Sequence, residues 1–409
     1  MSGPTFLSRP ADTAPMQSEA TLRGNVLRLA TGTALGGANS IVIFATGSII
    51  GAEIAPDPAL ATLPLSMFVV GLATGTLPTG WISRAYGRRV AFFIGCGLGA
   101  LCGALATIAI STGAFTLFCA ATFCGGLYAA VVQSYRFAAA DGASPTCRAK
   151  AVAWVLTGGI FAGIVGPQLV QWTMNLSPHL FAASYIGQGA VALLAIFVLA
   201  GVHAPRPVPA DLHGGRPLRK IVLRSDFLIA ALCGVVSYAL MNFVMTSAPL
   251  AMRMCGHSLT DSNLGIQWHV IAMYGPSFVT GSLIARFGAK HIVALGLALE
   301  ALAALIGLLG ISVAHFWSAL VVLGIGWNFG FVGASALVLE THAPAERNKV
   351  QAFNDFLVFG TMAVGSFSSG QILANSGWSA VNLVVFPPVA IALAALLLAS
   401  RRQVRGGLI

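Results

Sequence analysis

Several side chains able to stack, hydrogen-bond or carry a proton stand inside long apolar stretches of this 409-residue chain. Tyr238 and Asn242 are four residues apart, which puts a ring and an amide on one face of a helix. Trp327 and Asn328 set the same two chemistries side by side, and Asn39, Tyr128 and Tyr274 add further rings and amides. Groups of this kind hold a flat, polar, uncharged molecule by stacking and hydrogen bonding. Two titratable side chains lie in equally apolar surroundings, His269 and Glu300. Histidine alone has an ordinary pKa close to neutrality, about 6.5, so His269 and the carboxyl of Glu300 are the candidates for coupling a proton to another event. No activated nucleophile, paired carboxylates, Cys/His cluster or Gly-x4-Gly-Lys-Ser/Thr phosphate loop accompanies them. We therefore expect recognition and coupling rather than catalysis: no enzyme, no metal and no cofactor.

The elements that position these residues follow from composition. The chain is 57% hydrophobic and 8% charged, with a mean hydropathy of +0.85, whereas a soluble domain carries about 25% charged residues. Crossing about 30 Å of hydrocarbon takes about 20 apolar helical residues, and twelve such stretches can be marked. They run 26–50, 59–82, 89–110, 114–139, 149–172 and 180–202, then 227–251, 262–286, 289–311, 315–339, 350–374 and 378–400. The expected fold is an all-α membrane protein of twelve transmembrane helices.

Its loops are written twice. Asp141, Pro145, Arg148 and Lys150 recur with identical spacing 199 residues later as Glu340, Pro344, Arg347 and Lys349. Gly80, Ile82, Gly87 and Arg89 return as Gly281, Leu283, Gly288 and Lys290, offset by 201. Unrelated loops that share nearly one offset indicate a duplicated six-helix unit, with a ligand site between its copies. The division is an N-terminal tail (1–24), a first bundle (25–203), a linker (204–226), a second bundle (227–400) and a tail (401–409).

Nearly all basic residues fall on one side of this arrangement, among them Arg84, Arg88, Arg89, Arg148, Lys150, Arg219, Lys220, Lys290 and Arg347. That side is the cytoplasm by the positive-inside rule, and both termini belong to it. The net charge of +10 is spread over short loops and so reflects topology, not nucleic-acid binding. The first 24 residues carry no signal-peptide core, so the first span is expected to direct insertion. The seven cysteines are read as small apolar residues.

Twelve spans as six plus six, a central basic linker and the Gly-x6-Gly-x-basic loop after spans two and eight resemble the major facilitator superfamily over essentially the whole chain. In that family the loop after span two usually reads G-x3-D-R-x-G-R-R. Here Arg84 stands where the acid belongs and Ala85 where an arginine belongs, while Gly80, Gly87, Arg88 and Arg89 match. The family's acid is thought to lie against the start of span eleven. With Asn354 and Asp355 in the first turns of that span, the departure implies a charge-swapped cytoplasmic latch, Arg84 with Asp355, supported by Asp141 against Arg88. Arg136 belongs to the same gate.

The resemblance also implies that spans one, four, seven and ten line a central cavity. Their midpoints offer Asn39, Tyr128, Tyr238, Asn242, Trp327 and Asn328, with Tyr274 from span eight, and no charged group. A fixed ionic substrate would meet a partner charge there, so a neutral heterocycle is the expected ligand. The stretches Tyr135 to Asp141 and Ile266 to His269 are similar to a bacterial branch of the superfamily that includes riboflavin importers. The Arg-x-x-Gln-Gly and Gly-Pro-x-x-Gly-Gly patterns of proton-coupled drug exporters are replaced by Ala121 to Gly125 and by Gly166, Pro167 and Gln168 to Gln171. The expectation is a monomeric symporter or uniporter of the bacterial inner membrane, taking up a neutral vitamin such as riboflavin, with protons as the candidate co-substrate. Proton-coupled efflux of drugs or metabolites is the alternative, and a non-transporting membrane sensor is the alternative of another class.

Overall fold

Hydrophobic length dictates the architecture. The computed structural model describes residues 19–141, 151, 154–203, 216–343 and 346–406. Among them there is no β-strand, and every long apolar stretch is helical: α1 (Glu19–Ile54), α2 (Leu63–Ala85), α3 (Arg88–Thr112), α4 (Phe115–Asp141), α5 (Gly158–Thr173) and α6 (Ala182–Ala200). The second half holds a short α7 (Leu218–Val222), then α8 (Ser225–Met254), α9 (Leu259–Tyr274), α10 (Ser277–Phe287), α11 (Ala289–Leu309), α12 (Val313–Leu339), α13 (Arg347–Leu383) and α14 (Phe386–Gly406). Ten of these runs are long and apolar enough to cross a membrane, or eleven when the bent pair α9 and α10 counts as one. The run 353–398 is one of the ten. It turns sharply at Gly377 (φ 75°), where span eleven ends and span twelve begins, which accounts for all twelve expected spans.

The duplicated loop glycines have a common geometry. Gly87 (φ 91°) and Gly288 (φ 83°) each precede the first residue of a helix in a left-handed conformation, which a side chain would strain. The bend between α9 and α10 falls at Gly275 and Pro276, where proline cannot donate to the helix ladder. A Ser258/Asp261 capping box fixes the start of α9.

Each half buries its own apolar core, around Val42, Phe68 and Phe118 in the first and Phe227, Met245 and Leu320 in the second. The halves meet where α1 packs on α8, α2 on α13, and α5 on α9. Ile41, Ala45 and Ala162 join the second core, while Val358, Phe359 and Met362 of α13 join the first. Part of the stretch expected as a linker is docked on the second half. Arg216 donates to Glu346 through Nε (2.9 Å), Nη2 (2.7 Å) and its backbone N–H (2.7 Å), and Ile221 of α7 is buried.

Candidate functional site

An aromatic box lies where the halves meet. Tyr238 of α8 packs edge-on against Trp327 (5.4 Å between centroids) and Phe331 (4.8 Å) of α12 and against Phe359 (5.8 Å) of α13. Trp327 stacks on Phe331 at 5.5 Å and meets Tyr274 of α9 at 6.1 Å. From the first half, Phe44 packs against both cores and contacts Phe68 at 5.3 Å. Phe331 lies one turn after Trp327, so one helix face presents both rings. Tyr238, Phe331 and Phe44 are half-buried and pack against both cores, while Tyr274 is half-buried against the second.

Two polar atoms in this neighbourhood are buried without a protein partner: the indole Nε1 of Trp327 and the amide Oδ1 of Asn242. The Asn242 Nδ2 donates to the Met362 carbonyl at 3.4 Å, which orients the amide and leaves its oxygen unused. A donor and an acceptor beside stacked rings can read the edge of a heterocycle. Burying either unpartnered costs about 1–3 kcal/mol, a cost that a ligand would remove.

Other sequence-predicted residues are committed within one half. Asn328 donates to the Met273 carbonyl and to Ser277 Oγ, both at 2.7 Å, and accepts from Thr280 at 2.6 Å. It thereby satisfies the backbone that the bend at Pro276 exposes. Asn39 donates to the Gly125 carbonyl at 3.3 Å and accepts from Gln188 of α6. Tyr128 is fully buried inside the first half, with Cys96 Sγ 3.9 Å from its hydroxyl. His269 pairs its Nδ1 with the Leu320 carbonyl at 2.6 Å, which ties α9 to α12. Glu300 of α11 accepts from the Ser237 hydroxyl at 2.5 Å and is fully buried. Among the described residues, no group of His, Cys, Asp and Glu is arranged to hold a metal ion.

The two faces of the molecule are joined differently. On the face away from the basic loops, neutral hydrogen bonds cross between the halves: Gln168 to Gln267 (2.9 Å), Gln171 to Thr260 (3.0 Å), Asn263 to the Pro167 carbonyl (2.6 Å) and Thr62 to the Ser366 carbonyl (3.2 Å). Toward the basic face the cross-half interaction is electrostatic. Arg136 of α4 attracts Asp355 of α13 and lies within range of Tyr238 and Tyr274. Because α13 begins at Arg347, Asp355 is more than a turn beyond the unsatisfied N–H groups at its start. The charge acting on Asp355 is that of Arg136, not the field of its own helix end. Arg88 opens α3. The side chains of Arg84 and Asp141 lie outside the described residues.

A family model described as Major Facilitator Superfamily matches residues 29–276 and 268–408. The chain belongs to the major facilitator superfamily. It is a multi-pass membrane transporter and not an enzyme. It is 48% identical over 387 residues, 94% of this chain and 97% of the relative, to a riboflavin transporter, RfnT, of Brucella anthropi. It is also 31% identical to an uncharacterized MFS-type transporter, YdeG, of Bacillus subtilis, covering 85% of each chain. A bacterial homolog of the human lysosomal transporter Spinster, solved in an inward-facing and occupied conformation, shares the fold. Its TM-score is 0.69 at 16% identity, covering 94% of this chain and 98% of that one.

Sequence reasoning missed Phe44, Phe331 and Phe359, because phenylalanine in an apolar span carries no signal of its own. Gln188 could have been found as a lone amide in span six.

Proposed function

We propose that this transporter takes up riboflavin, or a close relative with the same ring system, across the bacterial inner membrane by alternating access. The observation that carries this reading is the 48% identity, over nearly the full length of both chains, to a transporter named for riboflavin. The box supports it chemically. A flat, uncharged ring system with an imide edge calls for aromatic walls, a hydrogen-bond donor and an acceptor, and for no fixed charge. In this reading Tyr238, Trp327, Phe331 and Tyr274 hold the ring, and Asn242 Oδ1 with Trp327 Nε1 face its imide edge. Asn39, Tyr128 and Asn328 hold the helices that carry the site.

The basic face is proposed to be cytoplasmic, with both termini on it and the chain acting as a monomer. Arg84, Arg88, Arg136, Asp141 and Asp355 then form the cytoplasmic gate, the glutamine contacts close the outer side, and the proton is the proposed co-substrate. Expression in a riboflavin-auxotrophic bacterium tests the substrate. Growth at low external riboflavin, competed by flavin analogues, is the expected result; absence of both uptake and growth from a correctly inserted chain overturns it.

A further inference from the structure

The duplication places a carboxyl group directly behind the aromatic box. Carried along the helices, the offset of 201 pairs Gly99 of α3 with Glu300 of α11, and the offset of 199 pairs Tyr128 of α4 with Trp327 of α12. In the first half, Gly99 leaves a space that the Tyr128 ring fills, so the ring turns into its own bundle. In the second half the equivalent seat holds the Glu300 side chain. The equivalent ring, Trp327, is turned to the interface, where it meets Tyr238 and Tyr274. The box thus sits on the half whose seat holds an acid, and the half whose seat holds a ring turns that ring inward.

That acid is built in back to back with the box. Gly326 and Gly330 of α12 and Ser237 of α8 surround Glu300. Their immediate neighbours Trp327, Phe331 and Tyr238 are the box. Successive helical residues point about 100° apart, so the same two helices show one face to the acid and the next to the proposed substrate. Glu300 Oε1 accepts from Ser237 at 2.5 Å, and Oε2 is buried with no partner. The titratable group facing it from α8 is the Cys233 thiol, one turn before Ser237. From α12 it is faced by glycine. Among the described residues no Lys, Arg or His pairs with it. An ionisable group so placed in a membrane is costly to keep charged and marks a functional position.

We propose that Glu300 is a proton-binding site whose charge state sets the position of α8 and α12, and through them of Tyr238 and Trp327, so that proton and substrate are carried together. The substrate half of this inference rests on the uptake function proposed above. Protonated, the acid is neutral and can stay sealed in its glycine seat. Deprotonated, it needs water or a donor at Oε2, which only a shift of α8 against α12 supplies. The proton comes from water on one side and is released to water on the other. Ser237 is a positioning residue.

The test uses purified full-length protein in liposomes. Wild type, Glu300→Gln and Ser237→Ala are each assayed for riboflavin counterflow at equal pH and for accumulation under a pH gradient of one unit. Infrared difference spectroscopy across a pH titration follows buried carboxyl stretching in parallel. Wild type is expected to accumulate substrate about tenfold for a one-proton coupling, whereas Glu300→Gln exchanges substrate but stops at the equilibrium level and lacks the titrating carboxyl band. Ser237→Ala is expected to keep the band with a displaced midpoint. Accumulation by Glu300→Gln equal to wild type, or an unchanged band in that variant, overturns the proposal. If wild type fails counterflow, the riboflavin reading falls, and the band alone decides for or against the proton site.

Discussion

Trp327 and Asn328 are neighbours in sequence with opposite tasks. The indole faces the box with its N–H unpartnered, while the amide is saturated by the bend between α9 and α10. Trp327→Phe, which keeps a ring in the box and removes the N–H, should therefore weaken riboflavin binding about tenfold, a loss of roughly 1.4 kcal/mol as expected for one hydrogen bond, with little change in thermal stability. Asn328→Ala should do the reverse, lowering stability by about 1–2 kcal/mol while binding in the folded fraction persists. Titration of the purified variants with riboflavin, alongside thermal unfolding, separates the two. Sequence could pair Tyr238 with Asn242 by their spacing, but it could not tell a ring facing the interface from one facing its own bundle. Tyr128 and Trp327 differ in that respect because of what fills the seat on the next helix. Glu346 was invisible for another reason, since its partner Arg216 lies 130 positions away. The Arg216 guanidinium, then the Ala343 and Arg216 backbone N–H groups, hold its carboxyl well below the usual range. A depressed carboxyl contributes stability that is present above its unfolded pKa of about 4.3 and fades as pH falls below it. Glu346→Gln should thus lower the unfolding temperature at neutral pH, and the gap to wild type should narrow only below about pH 4. A gap independent of pH from 7 to 3 would show that the ion pair contributes nothing.

At the scale of elements, the glycine-bearing loops were legible, because glycine at positive φ leaves a mark in any sequence, while the bend at Gly275 and Pro276 divides a span that the apolar pattern shows as one. The docking of α7 was not legible, since a five-residue helix in a polar stretch has no periodic pattern. Of the residues proposed for the gate, Arg136 and Asp355 are brought within electrostatic range of each other. Asp355 sits more than a turn inside its helix, past the free N–H groups at the start, and is attracted by Arg136; the side chain of Arg84, the expected partner, lies outside the described residues. Charge reversal distinguishes the two arrangements. If Arg84 is the latch, Arg84→Asp abolishes uptake and adding Asp355→Arg restores part of it. If Arg136 is the latch, recovery follows only when Arg136→Asp is combined with Asp355→Arg. Initial uptake rates of the single and double variants, corrected for membrane expression, make the comparison.

For the whole molecule, duplication gives two similar bundles, and alternating access requires that the contacts between them be broken on one face at a time. The contacts on the face away from the basic loops are neutral and span α5 to α9 and α2 to α13. Neutral amide pairs carry no net charge to be screened, so closure of that face should respond less to ionic strength than the partly buried Arg136 and Asp355 side. Locking the neutral face isolates its role. In a chain carrying Gln168→Cys and Gln267→Cys, a short bifunctional thiol reagent should join α5 to α9, because the two amides touch at 2.9 Å. Uptake should then stop and should return when a cleavable reagent is reduced, while riboflavin added from the basic face still binds. Each single variant treated alike should transport normally. Undiminished uptake by the fully cross-linked double variant would mean that this face never opens, and that the substrate enters and leaves by another route than rocking of the two halves.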